Sequence, residues 1–417
     1  MKNQGIKEKE TMATAYTYKV KDRTGKIVTG ALEGGDERAV ITKLRQQGYV
    51  ILNLREKNKT GIHMELSLPF LTKRVKTKDL TIFSRQFATM INSGLSLTRS
   101  LGILAEQTKN SYFSQVITQV GEDVQAGQPL SDAFARHTRA FPQLYVTMVR
   151  AGETGGVLDT VLLRVAEHFE SEAQLKGKIK SAAAYPAAVF SFTVLIAFAM
   201  ITFIVPMFVK MFESFDAELP LPTRVLLKLS TSIRGYWWLY LLIFAGSVYG
   251  FRRFKKLDQG RLVVDQMKLR LPVFGMLFRK IAISRFSRTL GTLIATGVSV
   301  LQALEIVAET SGNAVVAKAV MKSRKSIKEG ETIAKPLTKS KVFPPMVTQM
   351  IAVGEETGAL EKMLGKIADF YDSEVSATVN ALTSLIEPLL IIVMGVVIAG
   401  ILISLYLPMF SVVNLIK

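Results

Sequence analysis

Three kinds of hydrophobic spacing succeed one another along the chain. Near the N-terminus, Tyr16-Thr17-Tyr18-Lys19-Val20 alternates with the two-residue period of a half-buried strand. Asp22-Arg23-Thr24-Gly25 supplies turn chemistry, and Lys26 to Leu32 fits the return strand of a hairpin. Asp36 then caps a short helix that Gly48 ends, and Tyr49 to Leu54 gives a third strand. From Asp79 the spacing turns helical: Leu80, Phe83, Phe87 and Met90/Ile91 fall on one face until Gly94 stops the helix. Leu97, Leu101 and Leu104 line the next helix, and Phe113, Val116/Ile117, Val120 and Val124 a third that Gly127 ends. A short helix near 130–137, one from Pro142 and one from about Leu158 complete a helical bundle, because short loops favour antiparallel neighbours.

The third spacing is continuous. Ala187 to Phe208 and Leu389 to Phe410 contain no charge and exceed the roughly 20 residues that a membrane-crossing helix needs. Tyr236 to Phe251 is shorter, but its Tyr236-Trp237-Trp238 start suits an interfacial aromatic belt. None of the three runs holds a central charge, so an ion or proton path has no support in them.

These patterns repeat. Phe83-Ser84-Arg85 returns as Phe286-Ser287-Arg288, Ser93-Gly94 as Thr296-Gly297 and Gly127 as Gly330, each 203 positions later. The offset then drops to 202 and holds: Phe141-Pro142 matches Phe343-Pro344, and Gly152-Glu153 with Gly156 matches Gly354-Glu355 with Gly358. Ser171-Glu172 matches Ser373-Glu374, Pro186 matches Pro388, and Pro206-Met207-Phe208 matches Pro408-Met409-Phe410. Each copy is a polar bundle feeding an apolar helix. That points to a scaffold rather than a catalyst, since an active site rarely needs building twice.

The fold expected is a mainly α membrane protein with two tandem six-helix-type bundles, three transmembrane helices and a small N-terminal α/β module. Its parts run as a flexible tail at 1–14, the α/β module at 15–56 and a linker at 57–78. The first bundle takes 79–184, the first span 185–208, an outer segment 209–235 and the middle span 236–251. A connector at 252–280, the second bundle at 281–384, the last span at 385–410 and an outer tail at 411–417 follow.

Charge fixes the orientation. The chain has 53 Lys+Arg against 34 Asp+Glu, a formal +19. Lys176, Lys178 and Lys180 precede the first span, and Arg252, Arg253, Lys255 and Lys256 follow the second, so both flanks face the cytoplasm. The N-terminus and both bundles then lie inside and Lys417 outside. The start, MKNQGIKEKE, lacks the apolar core of a cleaved signal. A basic surplus also suits an acidic partner face, whereas no nucleic-acid-binding signature accompanies it. With no cysteine and only His63, His137 and His168, far apart, thiolate or histidine-rich metal sites are not expected.

Two Gly-Glu sites are the most distinctive motifs: Gly152-Glu153-Thr154-Gly155-Gly156 and Gly354-Glu355-Glu356-Thr357-Gly358. Each is expected to break one helix and open another, with glycines at positive φ and acidic or Thr side chains capping the new N-terminus. A second reading makes Glu153, Glu172, Glu355 and Glu374 a cation or contact site, because two acidic pairs recur. Glu387-Pro388 sits at the mouth of the last span, where it suits a helix start or could meet a partner's buried amine. No phosphate-binding GxxxxGK[ST] loop, HExxH or GxSxG occurs, so no enzymatic activity and no cofactor are expected.

The sequence resembles the inner-membrane platform proteins of type IV pilus and type II secretion machines, on the pilus branch. Phe83-Ser84-Arg85-Gln86, Phe141-Pro142, Gly152-Glu153-Thr154-Gly155-Gly156-Val157-Leu158 and Leu219-Pro220-Leu221-Pro222-Thr223 carry the resemblance in the first half. Gly354-Glu355-Glu356-Thr357-Gly358-Ala359-Leu360 and Glu387-Pro388-Leu389-Leu390 carry it in the second. The resemblance implies a homo-oligomeric platform in the bacterial inner membrane. Its implied partners are a hexameric assembly or retraction ATPase, pilin or pseudopilin subunits and other inner-membrane assembly proteins. It implies that ATPase motion is passed to subunits lifted into a growing fibre. One departure is that Ala334 stands where the first copy has Ser131, with a residue missing before Phe343. A small transporter or channel is the competing reading, opposed by spans without charge and by a large cytoplasmic mass.

Overall fold

The computed structural model describes residues 14–21, 27–34, 37–46, 48–56, 75–208 and 220–415. Most of the expected tail and linker, the Asp22–Gly25 turn, His63, residues 209–219 and the last two residues lie outside them. The chain divides into two compact units, Met1–Leu71 and Thr72–Lys417.

In the first unit, β1 (Thr14–Lys21), β2 (Ile27–Gly34) and β3 (Val50–Glu56) form an antiparallel sheet in the order β2-β1-β3. Tyr18 pairs with Gly30 and Val20 with Val28. Helix α1 (Glu37–Gln46) packs Val40 and Leu44, one turn apart, against Val20. Gly48, at φ 84, supplies the left-handed turn that ends it.

In the second unit the elements among the described residues are all helical. The first bundle comprises α2 (Thr77–Asn92), α3 (Leu97–Gln107), α4 (Ser111–Gln125), α5 (Leu130–Ala135), α6 (Gln143–Gly155) and the start of α7 (Leu158–Ala199). A π-helical turn at Met200–Ile204 interrupts α7, which continues to Phe208. Helix α8 (Leu221–Phe254) and α9 (Asp258–Arg270) follow. The second bundle comprises α10 (Phe274–Ala295), α11 (Val300–Thr310), α12 (Ala314–Lys328), α13 (Ala334–Lys339), α14 (Pro345–Glu356) and the start of α15 (Leu360–Leu415). Gly94, Gly127, Gly297 and Gly330 lie at φ between 81 and 88 just past their helices.

The residue lost from the second copy shortens the loop between α13 and Phe343. Lys341 there adopts φ 55, a left-handed conformation that the longer first loop avoids.

Apolar residues of both bundles form one continuous core, from Leu80 to Phe169 and from Ala282 to Tyr371. The seam is extended by the two long helices. Leu175 of α7 packs with Val375, Val379 and Leu382 of α15 and Leu277 of α10. Arg164 donates to Glu361 at 2.9 Å and Lys178 to Ser376 at 3.3 Å across the same pair. Farther along, Val205 meets Ile401 and Leu405.

Leu158–Phe208 and Leu360–Leu407 are long and apolar enough to cross a membrane. In both, the last bundle helix continues without a break into the apolar run, and in α7 the π-turn falls only within that run. The outer segment expected at 209–235 is helical from Leu221 onward, before a kink at Tyr236 (φ −118). Ahead of the kink, Leu226 and Leu227 pack against the Val205–Leu405 cluster. Thr223 donates to the Ser404 carbonyl, and the Arg234 guanidinium donates to the Thr202 carbonyl inside the π-turn. The expected connector is also built in. Asp265 of α9 accepts from the Ala314 amide at 2.9 Å and so caps α12, while the second bundle's first helix already starts at Phe274.

Candidate functional site

The Gly-Glu motifs sit at the ends of α6 and α14, where each bundle turns into its long helix. The Glu153 carboxylate accepts the Leu130 amide at 2.5 Å and the Ser131 amide at 2.9 Å. Glu355 accepts the Ile333 amide at 2.6 Å and the Ala334 amide at 3.2 Å. Each acid therefore caps the one-and-a-half-turn helix α5 or α13 from across the bundle, and not the helix that follows it in sequence. A carboxylate at a helix N-terminus satisfies orphan amides and suits the helix dipole. Because only the backbone amide is read, Ser131 and Ala334 are equivalent there.

The glycines also divide their work differently from the sequence expectation. Gly152 and Gly354 lie inside their helices. A Cβ on Gly152 would stand 2.9 Å from the Val161 Cβ, and one on Gly354 2.9 Å from the Leu360 Cα. They are needed for close helix crossing. The left-handed residues are Gly156 (φ 69) and Gly358 (φ 68). Val157 donates to the Gly152 carbonyl at 2.9 Å, which closes a Schellman-type end on α6. Phe141 and Phe343 are buried core residues, and Pro142 and Pro344 precede the first turns of α6 and α14.

Glu172 and Glu374 are not brought to Glu153 and Glu355. Glu172 pairs with Lys176 at 2.8 Å and Glu374 with Lys280 at 2.7 Å. Among the described residues no three His, Asp or Glu side chains gather as a metal site would require. Burial raises the Glu172 carboxyl, but its hydrogen bond with Lys176 and nearby positive charge outweigh this and hold it below the ordinary value.

Glu387-Pro388 does not start a helix, because α15 runs through it, as α7 runs through Pro186. The dipole argument therefore fails at this position. Glu387 instead accepts a long hydrogen bond, 3.5 Å, from the Tyr185 hydroxyl, its counterpart in the repeat.

Two further features escape motif reading. Arg85 forms a bidentate pair with Glu170, its Nε 2.6 Å from one oxygen, and Arg288 pairs with Asp372 at 2.6 Å and Asp369 at 3.0 Å. The 203/202 offsets held the signal, since Glu170 and Asp372 are repeat counterparts as are the arginines. His168 is only 7% exposed, and burial pushes its imidazole down to about 4, so it is neutral at pH 7.

Together these features define a membrane protein of two tandem helical repeats, whose recurrent acids and glycines hold each bundle to the helix that leaves it. Residues 83–206 and 286–408 match the family described as type II secretion system (T2SS), protein F, and residues 12–55 match the N-terminal domain of type II secretion system protein F. The chain belongs to the type II secretion system protein F family. It is similar to the type IV pilus assembly protein PilC of Thermus thermophilus, 43% identical over 400 residues, covering 96% of this chain and 98% of the relative. The type IV pilus assembly protein PilC of Myxococcus xanthus is 40% identical, with 97% of each chain covered. The type II secretion system protein F of Xanthomonas campestris pv. campestris is 32% identical, covering 96% of this chain and 98% of the relative.

Proposed function

We propose that this chain is the inner-membrane platform of a type IV pilus machine, coupling a cytoplasmic hexameric ATPase to the extraction of pilin subunits. The observation that carries this reading is helix continuity. In both copies the last helix of the bundle core continues unbroken into the apolar run. At 1.5 Å per residue, such helices are about 75–85 Å long. Displacement of a bundle would therefore be carried to the membrane segment along one continuous helix, through Pro186 in α7 and Pro388 in α15. The names and identities of the pilus relatives, 43% and 40% against 32% for the secretion relative, support the pilus branch.

In this reading the chain spans the membrane three times, with both bundles and the N-terminus in the cytoplasm. Residues 236–251 form the middle span. Their exposed Trp237, Trp238, Leu241 and Phe244 and the following Arg252 and Arg253 support it. The second bundle supplies the docking face. Helix α12 carries Lys318, Lys322, Arg324, Lys325 and Lys328 with no acid, and α13 adds Lys335 and Lys339. Such a field suits an acidic partner surface.

Deleting the gene should abolish surface fibres while ATPase levels stay unchanged, and wild-type protein should restore them. A Lys178→Pro variant should insert in the membrane at normal levels but fail to restore fibres, because a second proline, about two turns before Pro186, removes a further rung of the α7 hydrogen-bond ladder. Normal fibre assembly in the deletion strain would reject the proposal. Orientation can be read on the cysteine-free chain: Thr231→Cys should label from outside, and Lys322→Cys only after permeabilisation.

A further inference from the structure

A cavity of about 310 Å³ opens at the seam between the two bundles. Its walls come from both copies: Lys76, Arg139, His168 and Glu172 from the first, Arg285 and Arg288 from the second. The cavity holds five cationic side chains, Lys76, Arg139, Lys176, Arg285 and Arg288, against the carboxylates of Glu172 and Asp372. Those carboxylates are already engaged, Glu172 by Lys176 and Asp372 by Arg288. Lys76, Arg139 and Arg285 thus remain as three cations in excess, with no carboxylate paired to them within 4 Å among the described residues, Arg285 acting on Glu172 only at longer range.

Hydrogen-bonding capacity is also unspent. The Nε groups of Arg285 and Arg288 are buried without a partner, as is Nδ1 of His168. Ordinary packing would not leave these groups so, because a buried donor without a partner has lost its hydrogen bonds to water and gained none in return. The repeat sharpens the point. Arg285 stands where the first copy has Ile82, and His168 where the second has Phe370. Ile82 and Phe370 are both 46% exposed. The copies thus expose apolar residues on their outer faces and place polar ones in the seam, the reverse of what burial alone favours.

We propose that this seam cavity binds a phosphate group carried by a small molecule, a phosphate monoester or diphosphate. Arg285 and Arg139 would donate to the phosphate oxygens, with Lys76 at the rim and His168 at the wall. Guanidinium groups match the geometry of phosphate oxygens, and an excess of three cations suits a multiply charged anion. A lipid headgroup carries the same chemistry, but Lys176 lies ten residues before Pro186 on one helix, about 15 Å from the start of the apolar run. That distance favours a ligand from solution. The proposal stands apart from the platform reading, because binding can be measured without any fibre.

The test uses the full chain in nanodiscs of phosphatidylcholine, titrated with inorganic pyrophosphate and followed by calorimetry and thermal melting. Saturable binding with a raised melting temperature is expected. Arg285→Ile, which restores the residue of the other copy, should weaken binding about tenfold or more, from loss of a charge-assisted hydrogen bond. Its melting temperature without pyrophosphate should stay near wild type. Arg139→Ala, at the exposed rim, should also weaken binding and serves if Arg285→Ile fails to fold. Unchanged affinity in discs containing phosphatidylglycerol supports a soluble ligand. Competition by that lipid would overturn the soluble source and assign the site to a headgroup. No saturable binding, or equal binding by wild type and both variants, would overturn the site itself.

Discussion

The two bundles share a fold but not a filling. The first is aromatic: Phe83, Phe87, Phe113, Phe134, Phe141 and Tyr145 touch in a chain of ring contacts, the shortest being Phe134 to Phe141 at 4.2 Å between centroids. At the matching positions the second has Phe286, Leu290, Val316, Leu337, Phe343 and Val347, and the Phe286–Phe343 contact is the ring pair that persists within this set. What both retain is the frame: the Gly-Glu cap, the close-crossing glycine and the left-handed glycine. Core volume can be redistributed among neighbouring side chains while the backbone path holds. A carboxylate bound to two amides, or a glycine whose added Cβ would stand 2.9 Å from a facing carbon, has no such substitute.

The surfaces differ more than the cores. Helix α4 carries Glu122 and Asp123 with no basic residue, whereas its counterpart α12 carries five basic residues and no acid. Lys322 and Lys325 replace Gln119 and Glu122. The two copies of one scaffold thus differ in charge along this pair of matching helices, acidic in α4 and basic in α12.

The largest effect should come from the aromatic core. Phe134→Ala is expected to cost about 3–5 kcal/mol. Leu337→Ala at the matching site should cost about 2–5 kcal/mol, toward the lower end because fewer atoms are removed. Denaturant melts of the full chain in detergent measure both, and a larger loss at Leu337 would break the comparison. Next is acid sensitivity. His168 is held neutral with its value lowered to about 4 from 6.5. Its contribution is therefore fully present above pH 6.5 and lost as pH falls toward 4, by about 3 kcal/mol. His168→Phe, the residue of the other copy, should flatten stability across that window. An unchanged slope would count against a buried neutral imidazole.

Removing the cap charge comes third. Glu153→Gln and Glu355→Gln should each cost about 1–2 kcal/mol, and by similar amounts, since both acids make two amide contacts. A difference above that range in melting studies would show that the frames are not equivalent. Gly156→Ala should cost about 1 kcal/mol through its left-handed backbone. Smallest in stability is the pair Lys322→Glu with Lys325→Glu, within about 0.5 kcal/mol. If the basic face docks the ATPase, that same pair should weaken co-purification with it.

Much of this architecture was legible in one sequence because repetition acts as an internal check. Gly94, Gly127 and Gly156 end helices where the period breaks, and their counterparts do so again. The Gly152 assignment failed for an instructive reason. Glycine serves either a left-handed turn or a close crossing, and linear spacing cannot tell which. Only the position of Val161 across the turn settles it. Glu387-Pro388 failed similarly, since a proline that begins helices elsewhere is carried within α15.

The sequence alone determined the two copies, the apolar runs and the family, because periodicity, hydrophobic length and motif spacing are properties of the chain taken in order. The tertiary structure decided which amides Glu153 and Glu355 bind, that α7 and α15 run unbroken from core to apolar run, and that His168 and Arg285 share one cavity. Those facts depend on residues 21 to more than 100 positions apart meeting in space, and hydrogen bonds and charge act across that distance rather than along the chain.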